Sequence, residues 1–104
     1  YPVINLIQLE ELGFCAKGEG AAFVRQNTFT VDGTLPLNTS GGQLSAGQAG
    51  AAGGYLGLTE AVRQLTGRTL GTQVENAHLG LVSGFGMINY DRGLCSGAAI
   101  LGRA

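Results

Sequence analysis

The sequence predicts an α/β fold, on three observations. Its first quarter carries apolar residues at helical spacing, its middle is a charge-free glycine-rich stretch that runs into an amphipathic helix, and its end holds two short apolar β segments. With 104 residues there is at most one domain, spanning 1–104, near the size at which a single core is only marginally stable.

From Val3 the apolar positions are Val3, Ile4, Leu6, Ile7, Leu9 and Leu12, with Asn5, Gln8, Glu10 and Glu11 between them. This spacing predicts a helix with one apolar face that stops at Gly13. Pro2 suits a first turn, yet no capping Ser, Thr or Asp precedes it, so further chain is expected upstream. Lys17–Arg25 reads as a second short helix entered through glycines. Thr28–Leu37 is β-branched and aromatic, turns at Asp32-Gly33, and reads as a short strand or hairpin ending at Asn38.

Asn38–Gly54 contains six glycines and no charge. Glycine costs a helix interior roughly 1 kcal/mol against alanine, so glycines this dense before a helix serve close approach of backbone or ligand. One long helix is expected from Leu44 to Leu65, with Ala46, Gly50, Gly53 and Gly57 clearing one face. Gly67–Gly71 punctuates and Val74–Ala77 is a loop. Leu79–Ser83 and Ala98–Leu101 read as buried strands that pair antiparallel, joined by a long connection from Gly84 to Gly97.

Charge is sparse, 12% of residues against the usual quarter, with none between Asp32 and Glu60. Much of the chain is therefore expected to lie against other protein. A net charge of −1 leaves no basic stripe for nucleic acid. No apolar run is long enough to span a membrane, and no signal-peptide pattern opens the chain. A cytoplasmic protein is expected, with Cys15 and Cys95 as two buried thiols, since their spacing matches no zinc or CxxC motif. His78, in Asn76-Ala-His-Leu, reads as a surface residue entering a strand. No nucleophile elbow, phosphate loop or metal cluster is present.

What stands out chemically is the glycine turn, a kind of turn that offers backbone N–H groups to an oxyanion or thioester. Four segments carry a resemblance: Leu12-Gly-Phe-Cys-Ala-Lys-Gly-Glu-Gly, Asn38-Thr-Ser-Gly-Gly-Gln-Leu-Ser-Ala-Gly-Gln-Ala, Gln64-Leu-Thr-Gly and Gln73-Val-Glu-Asn-Ala. In this order and spacing they resemble the C-terminal half of the thiolase superfamily, closest to its sterol-carrier-protein-type and lipid-transfer-protein (steroid aldolase) branch. The resemblance implies part of a layered α-β-α-β-α sandwich, in which the small-faced helix is buried at the centre. It implies a fragment of a longer subunit whose N-terminal half carries the acyl-accepting cysteine, usually dimeric, with a coenzyme A thioester as substrate and no other cofactor. Members of the branch often act with a partner of oligonucleotide-binding-type fold.

The resemblance also assigns residues. Asn38, Ser40, Gly41, Gly42 and Gly47 fall in the turn that shapes the substrate pocket. A purely structural role, with the glycines supplying positive φ, fits the same residues. Where the family has Gly-His-Pro, this chain has Gly47-Gln48-Ala49; Gln48 can donate a hydrogen bond but carries no proton at neutral pH. Where the family places an acid/base cysteine in its last turn, this chain has Ser83, followed by an insertion through which Tyr90, with Asp91, or Cys95 could return to the site. Three activities follow from the resemblance. The first is Claisen-type acyl transfer with Gln48 in the oxyanion site, the second is retro-aldol cleavage of a steroid side-chain acyl-CoA, and the third is a non-catalytic thiolase-like scaffold.

Overall fold

The computed structural model describes residues 2–47, 53–90 and 92–104, which form helices and one antiparallel strand pair in an α/β arrangement. The chain divides into two compact units, Tyr1–Leu37 and Asn38–Ala104.

In the first unit, α1 (Pro2–Glu11) and α2 (Gly20–Gln26) follow the apolar periodicity of the sequence. Leu9 is buried, and Phe14 and Phe23 meet with ring centroids 6.4 Å apart in a tilted pair. No side chain of Glu19 caps α2, and the carboxylate of Glu10 does so from the neighbouring helix. The Gly20 N–H donates to Glu10 Oε1 at 2.8 Å, where the negative charge also faces the positive end of the helix. A Cβ on residue 20 would lie 2.8 Å from that oxygen, so the cap depends on glycine there.

Thr28–Leu37 forms a turn, and no strand is assigned to it. Two backbone bonds cross it, Leu35 N to the Thr28 carbonyl (3.1 Å) and Leu37 N to the Phe29 carbonyl (3.2 Å). The Thr28 N–H goes instead to the Thr34 hydroxyl at 3.0 Å, and Pro36 has no N–H to give. Side-chain competition and a missing donor therefore stop the ladder that the β-branched residues suggested.

In the second unit the expected long helix is two helices. α3 (Gly42–Ala46) ends at Gly47, whose φ of 101° and ψ of 156° take the backbone out of helical space, and α4 spans Gly54–Thr66. Ala46 and Gly57 thus belong to different helices, and Gly50 lies outside the described residues. The helices are tied by Gln43 Nε2, which donates to the Gly53 carbonyl at 3.0 Å.

β1 (Leu79–Asn89) and β2 (Arg92–Gly102) pair antiparallel in unbroken phase from Leu79↔Gly102 to Asn89↔Arg92. The segment expected as a long connection is therefore strand, and only residues 90 and 91 separate the two. Tyr90 has φ 48°, the sign that tight hairpin turns need. One face of the hairpin rests on α4. A Cβ on Gly57 would lie 3.3 Å from Val82 Cγ1, and one on Gly80 would lie 3.5 Å from Ala61 Cβ and Leu65 Cδ1. Gly57, Ala61 and Leu65 recur every four residues and form the contact stripe, with Leu65 buried.

The other face carries Leu79, Leu81, Ser83 and Phe85 of β1 beside Ile100 and Ala98 of β2. Leu79 and Ile100 are each 75% exposed. Among the described residues of this unit, the strands read as buried are thus covered on one side only. Their two-sided apolar sequence is that of a sheet built for a layer on each face.

The backbone N–H groups of Gly18 and Gly20 hold the Glu10 carboxyl below its ordinary pKa. A depressed folded-state pKa adds stability that is complete above the unfolded-state value and disappears as pH falls through the folded one. In unfolding followed from pH 7 to pH 3, Glu10→Gln is expected to be less stable than wild type at neutral pH, with the difference vanishing at the acid end.

Candidate functional site

The glycine turn begins at Asn38, which has φ 50°, and Gly41 and Gly42 follow at φ 85° and 71°. The Gly41 N–H closes the turn on the Asn38 carbonyl at 2.8 Å. A Cβ on Gly41 would sit 2.7 Å from Ser45 Cβ and Oγ, and one on Gly42 would point at the Asn38 side chain at 3.8 Å. Backbone conformation and, at position 41, space therefore both require the Gly-Gly pair. Asn38, Ser40, Gly41 and Gly47 are exposed, so the turn presents its backbone to solvent.

Thr39, half-buried, anchors it. Its hydroxyl donates to Glu60 Oε1 on α4 at 2.7 Å. The same oxygen accepts from Gln64 Nε2 at 2.9 Å. Gln64 is only 8% exposed and uses its whole amide: Nε2 also donates to the Thr72 carbonyl (3.0 Å), and Oε1 accepts from Val74 N (2.8 Å) and Gln73 Nε2 (3.0 Å). Gln64 and Gln73, from two motifs nine residues apart, thus meet in one network with the glycine turn. Sequence reasoning missed this, although a Glu and a Gln four apart on a helix leading into a second Gln motif was a visible signal.

The remaining candidates are spread along the hairpin. Ser83 lies on β1 opposite Ala98, and Cys95 lies on β2 opposite Gly86. Strand alternation places Ser83 on the outer face and Cys95 on the face that meets α4, so the sheet separates the two side chains. Tyr90, 90% exposed, is at the hairpin tip, seven positions or about 23 Å from Ser83 at roughly 3.3 Å per residue. The insertion runs away from Ser83 as extended strand, so it brings neither Tyr90 nor Cys95 back to it. Gln48 and Asp91 lie outside the described residues.

Both cysteines are free. Cys15 is half-buried, and burial first, then the charges of Glu10 and Glu19, push its thiol pKa up. Cys95 is exposed, against the expectation of two buried thiols. His78 is at the surface as expected, its carbonyl accepting from Arg103 N at 2.9 Å. Among the described residues no group of His, Cys, Asp or Glu could hold a metal ion, and no helix is long and apolar enough to cross a membrane.

Residues 1–103 match the family model of thiolase C-terminal domain-like proteins. The chain is 45% identical to 17-hydroxy-3-oxo-4-pregnene-20-carboxyl-CoA lyase of Mycobacterium tuberculosis, over 80% of this chain and 21% of the relative. It is 40% identical to the steroid side-chain-cleaving aldolase of Thermomonospora curvata, over 79% and 20%. With the acetyl-CoA acetyltransferase of Methanothermobacter thermautotrophicus it shares 34% identity, over 83% and 22%. The chain thus spans about a fifth of the length of the curated relatives it matches. No solved structure gives a significant match.

Two outcomes check this geometry. Gln64→Leu strands the Val74 N–H and the Thr72 carbonyl, each at a cost of about 1–3 kcal/mol if it stays buried, and is expected to lower the unfolding midpoint clearly. In timed iodoacetamide labelling of the native chain followed by peptide mass analysis, Cys95 is expected to react before Cys15.

Proposed function

The chain belongs to the thiolase C-terminal domain-like family, and from that premise we propose that the protein containing it cleaves a carbon–carbon bond beside a coenzyme A thioester by a retro-aldol reaction. What carries this reading is the double replacement that the resemblance implies: Gln48 in the place of the family's histidine and Ser83 in the place of its cysteine. Thiolysis needs both of those groups to move protons, and neither replacement titrates near neutral pH. Two relatives named for lyase and aldolase activity, at 45% and 40% identity, support the same choice.

In a retro-aldol step a base takes the proton of the β-hydroxyl, the oxygen's electrons form a carbonyl, and the bond between the α and β carbons breaks. Its electron pair passes to the thioester enolate, which is then protonated. No acyl-enzyme is formed, so the loss of the histidine that activates a nucleophile is tolerated. In this reading the turn of Asn38, Ser40, Gly41 and Gly42, with Gly47, holds the thioester, and the amide of Gln48 donates to its oxygen. The base is a group other than Gln48 and Ser83. We place residues 1–104 within the C-terminal domain of a longer subunit, whose remaining chain covers the outer face of the hairpin. A homodimer and a partner of oligonucleotide-binding-type fold belong to the same proposal, and a steroid acyl-CoA is the substrate class that the two relatives suggest.

Claisen-type acyl transfer is the second reading, favoured by the intact Asn-x-Ser-Gly-Gly turn and by the acetyl-CoA acetyltransferase relative. Intact-mass measurement of the whole protein after incubation with acetyl-CoA separates the two. A gain of one acetyl group establishes a working nucleophile and acyl transfer. No gain, together with conversion of a tertiary β-hydroxyacyl-CoA to a ketone and a shorter acyl-CoA, establishes the retro-aldolase. In that enzyme Gln48→Ala is expected to lower kcat about 10²- to 10³-fold, as loss of one oxyanion donor does, while Gln48→His leaves it within about twofold.

A further inference from the structure

We propose that Glu60 is a positioning residue, which fixes the Asn38–Gly42 turn in its ligand-holding conformation through the hydroxyl of Thr39. This rests on the reading of that turn as the thioester site.

The turn has little to hold it otherwise. Asn38, Gly41 and Gly42 all sit at positive φ, the turn is closed by the bond between Gly41 N and the Asn38 carbonyl, and most of its residues are exposed. Thr39 is the half-buried member, and its 2.7 Å bond to Glu60 Oε1 has the length of a hydroxyl donating to a charged carboxylate, among the stronger hydrogen bonds available to a side chain. That oxygen is itself fixed. It accepts from Gln64 Nε2, and the other three hydrogen-bonding positions of the Gln64 amide are taken by Thr72, Gln73 and Val74. The backbone beneath it is set by the contacts of Gly57 with Val82 and of Ala61 and Leu65 with Gly80, which lie one turn either side of Glu60 or close to it. Glu60 therefore carries the rigidity of the helix and strand layer to a loop that lacks its own. The Thr39 hydroxyl is committed inward, which leaves its neighbours Asn38 and Ser40 for the ligand.

The test uses the whole protein, acetyl-CoA as the probe, calorimetry for affinity and hydrogen exchange for the segment 38–46. Thr39→Val removes the hydroxyl at constant shape, and Thr39→Ser keeps it. Thr39→Val is expected to raise the Kd for acetyl-CoA about tenfold, the loss of roughly one hydrogen-bonded contact, and to speed exchange of the turn amides, with Thr39→Ser within about twofold of wild type on both. Glu60→Ala should behave as Thr39→Val does, and Glu60→Gln, which keeps an acceptor oxygen, should recover most of the loss. In turnover the defect should fall on KM, with kcat nearly unchanged, because the turn holds ground state and transition state alike.

A Thr39→Val protein that binds and exchanges like wild type overturns the proposal, as does a defect in Thr39→Ser as large as in Thr39→Val. Should Glu60→Ala fail to fold, the two Thr39 variants decide the matter alone. A wild-type protein that binds acetyl-CoA but cleaves no β-hydroxyacyl-CoA refutes the retro-aldol reading, and the affinity comparison still decides the role of Glu60. If the wild type binds no acetyl-CoA, the thioester site is refuted and the exchange comparison decides whether Glu60 positions the turn.

Discussion

The buried amide of Gln64 connects three stretches of chain that share no regular hydrogen-bonding pattern. It sits on α4, receives the backbone of the 72–74 segment, and reaches the glycine turn by way of Glu60 and Thr39. An amide with two donors and two acceptor positions is the smallest side chain able to serve all of these partners at once. Leu65, its neighbour on α4, is buried against Gly80, so the polar node and the apolar seam lie side by side on one helix. The placement of the loop that leads into β1, and of the turn before α3, depends on this residue.

Much of this was legible in the sequence. Apolar spacing located α1, the glycine-led segment from Lys17 to Arg25 located α2 to within a few residues, the amphipathic run to Leu65 located the end of α4, and the positive φ of Gly41 and Gly42 is what the adjacent glycines suggested. The failures have local causes. A helix drawn from Leu44 to Leu65 read the spacing of its small residues as one cleared helix face and ignored that Gly47 can leave helical space at no steric cost. The hairpin was drawn too short because Gly84, Gly86, Gly93 and Gly97 read as loop punctuation. In the strands they sit in register with Gly97, Cys95, Ile88 and Gly84. Glycine in a strand signals close approach as readily as it signals a turn, and single-sequence reading does not separate the two.

The glycine turn was legible in its backbone, and the side chains behind it were not. The turn from Asn38 to Gly42 could be located because its glycines are required by geometry. The expectation that an insertion folds Tyr90 or Cys95 back toward Ser83 failed, because pairing continues to the tip and alternation sends Ser83 and Cys95 to opposite faces. The Thr39–Glu60–Gln64–Gln73 chain was missed because its members are ordinary polar residues whose partners lie 21, 4 and 9 positions away. Only the fold makes them neighbours.

The hairpin has one more consequence, for the handling of the chain in isolation. Each of its eleven-residue strands offers one edge of N–H and C=O groups that no other described strand occupies, and Arg92 is the one charged residue in either strand. Natural edge strands are usually blunted by lysine, proline or a bulge, and this register has none of them. With Leu79 and Ile100 bare on the outer face, two copies can extend each other's sheet in either direction. The same uninterrupted edges that suit the interior of a larger sheet make the separated segment a template for its own aggregation.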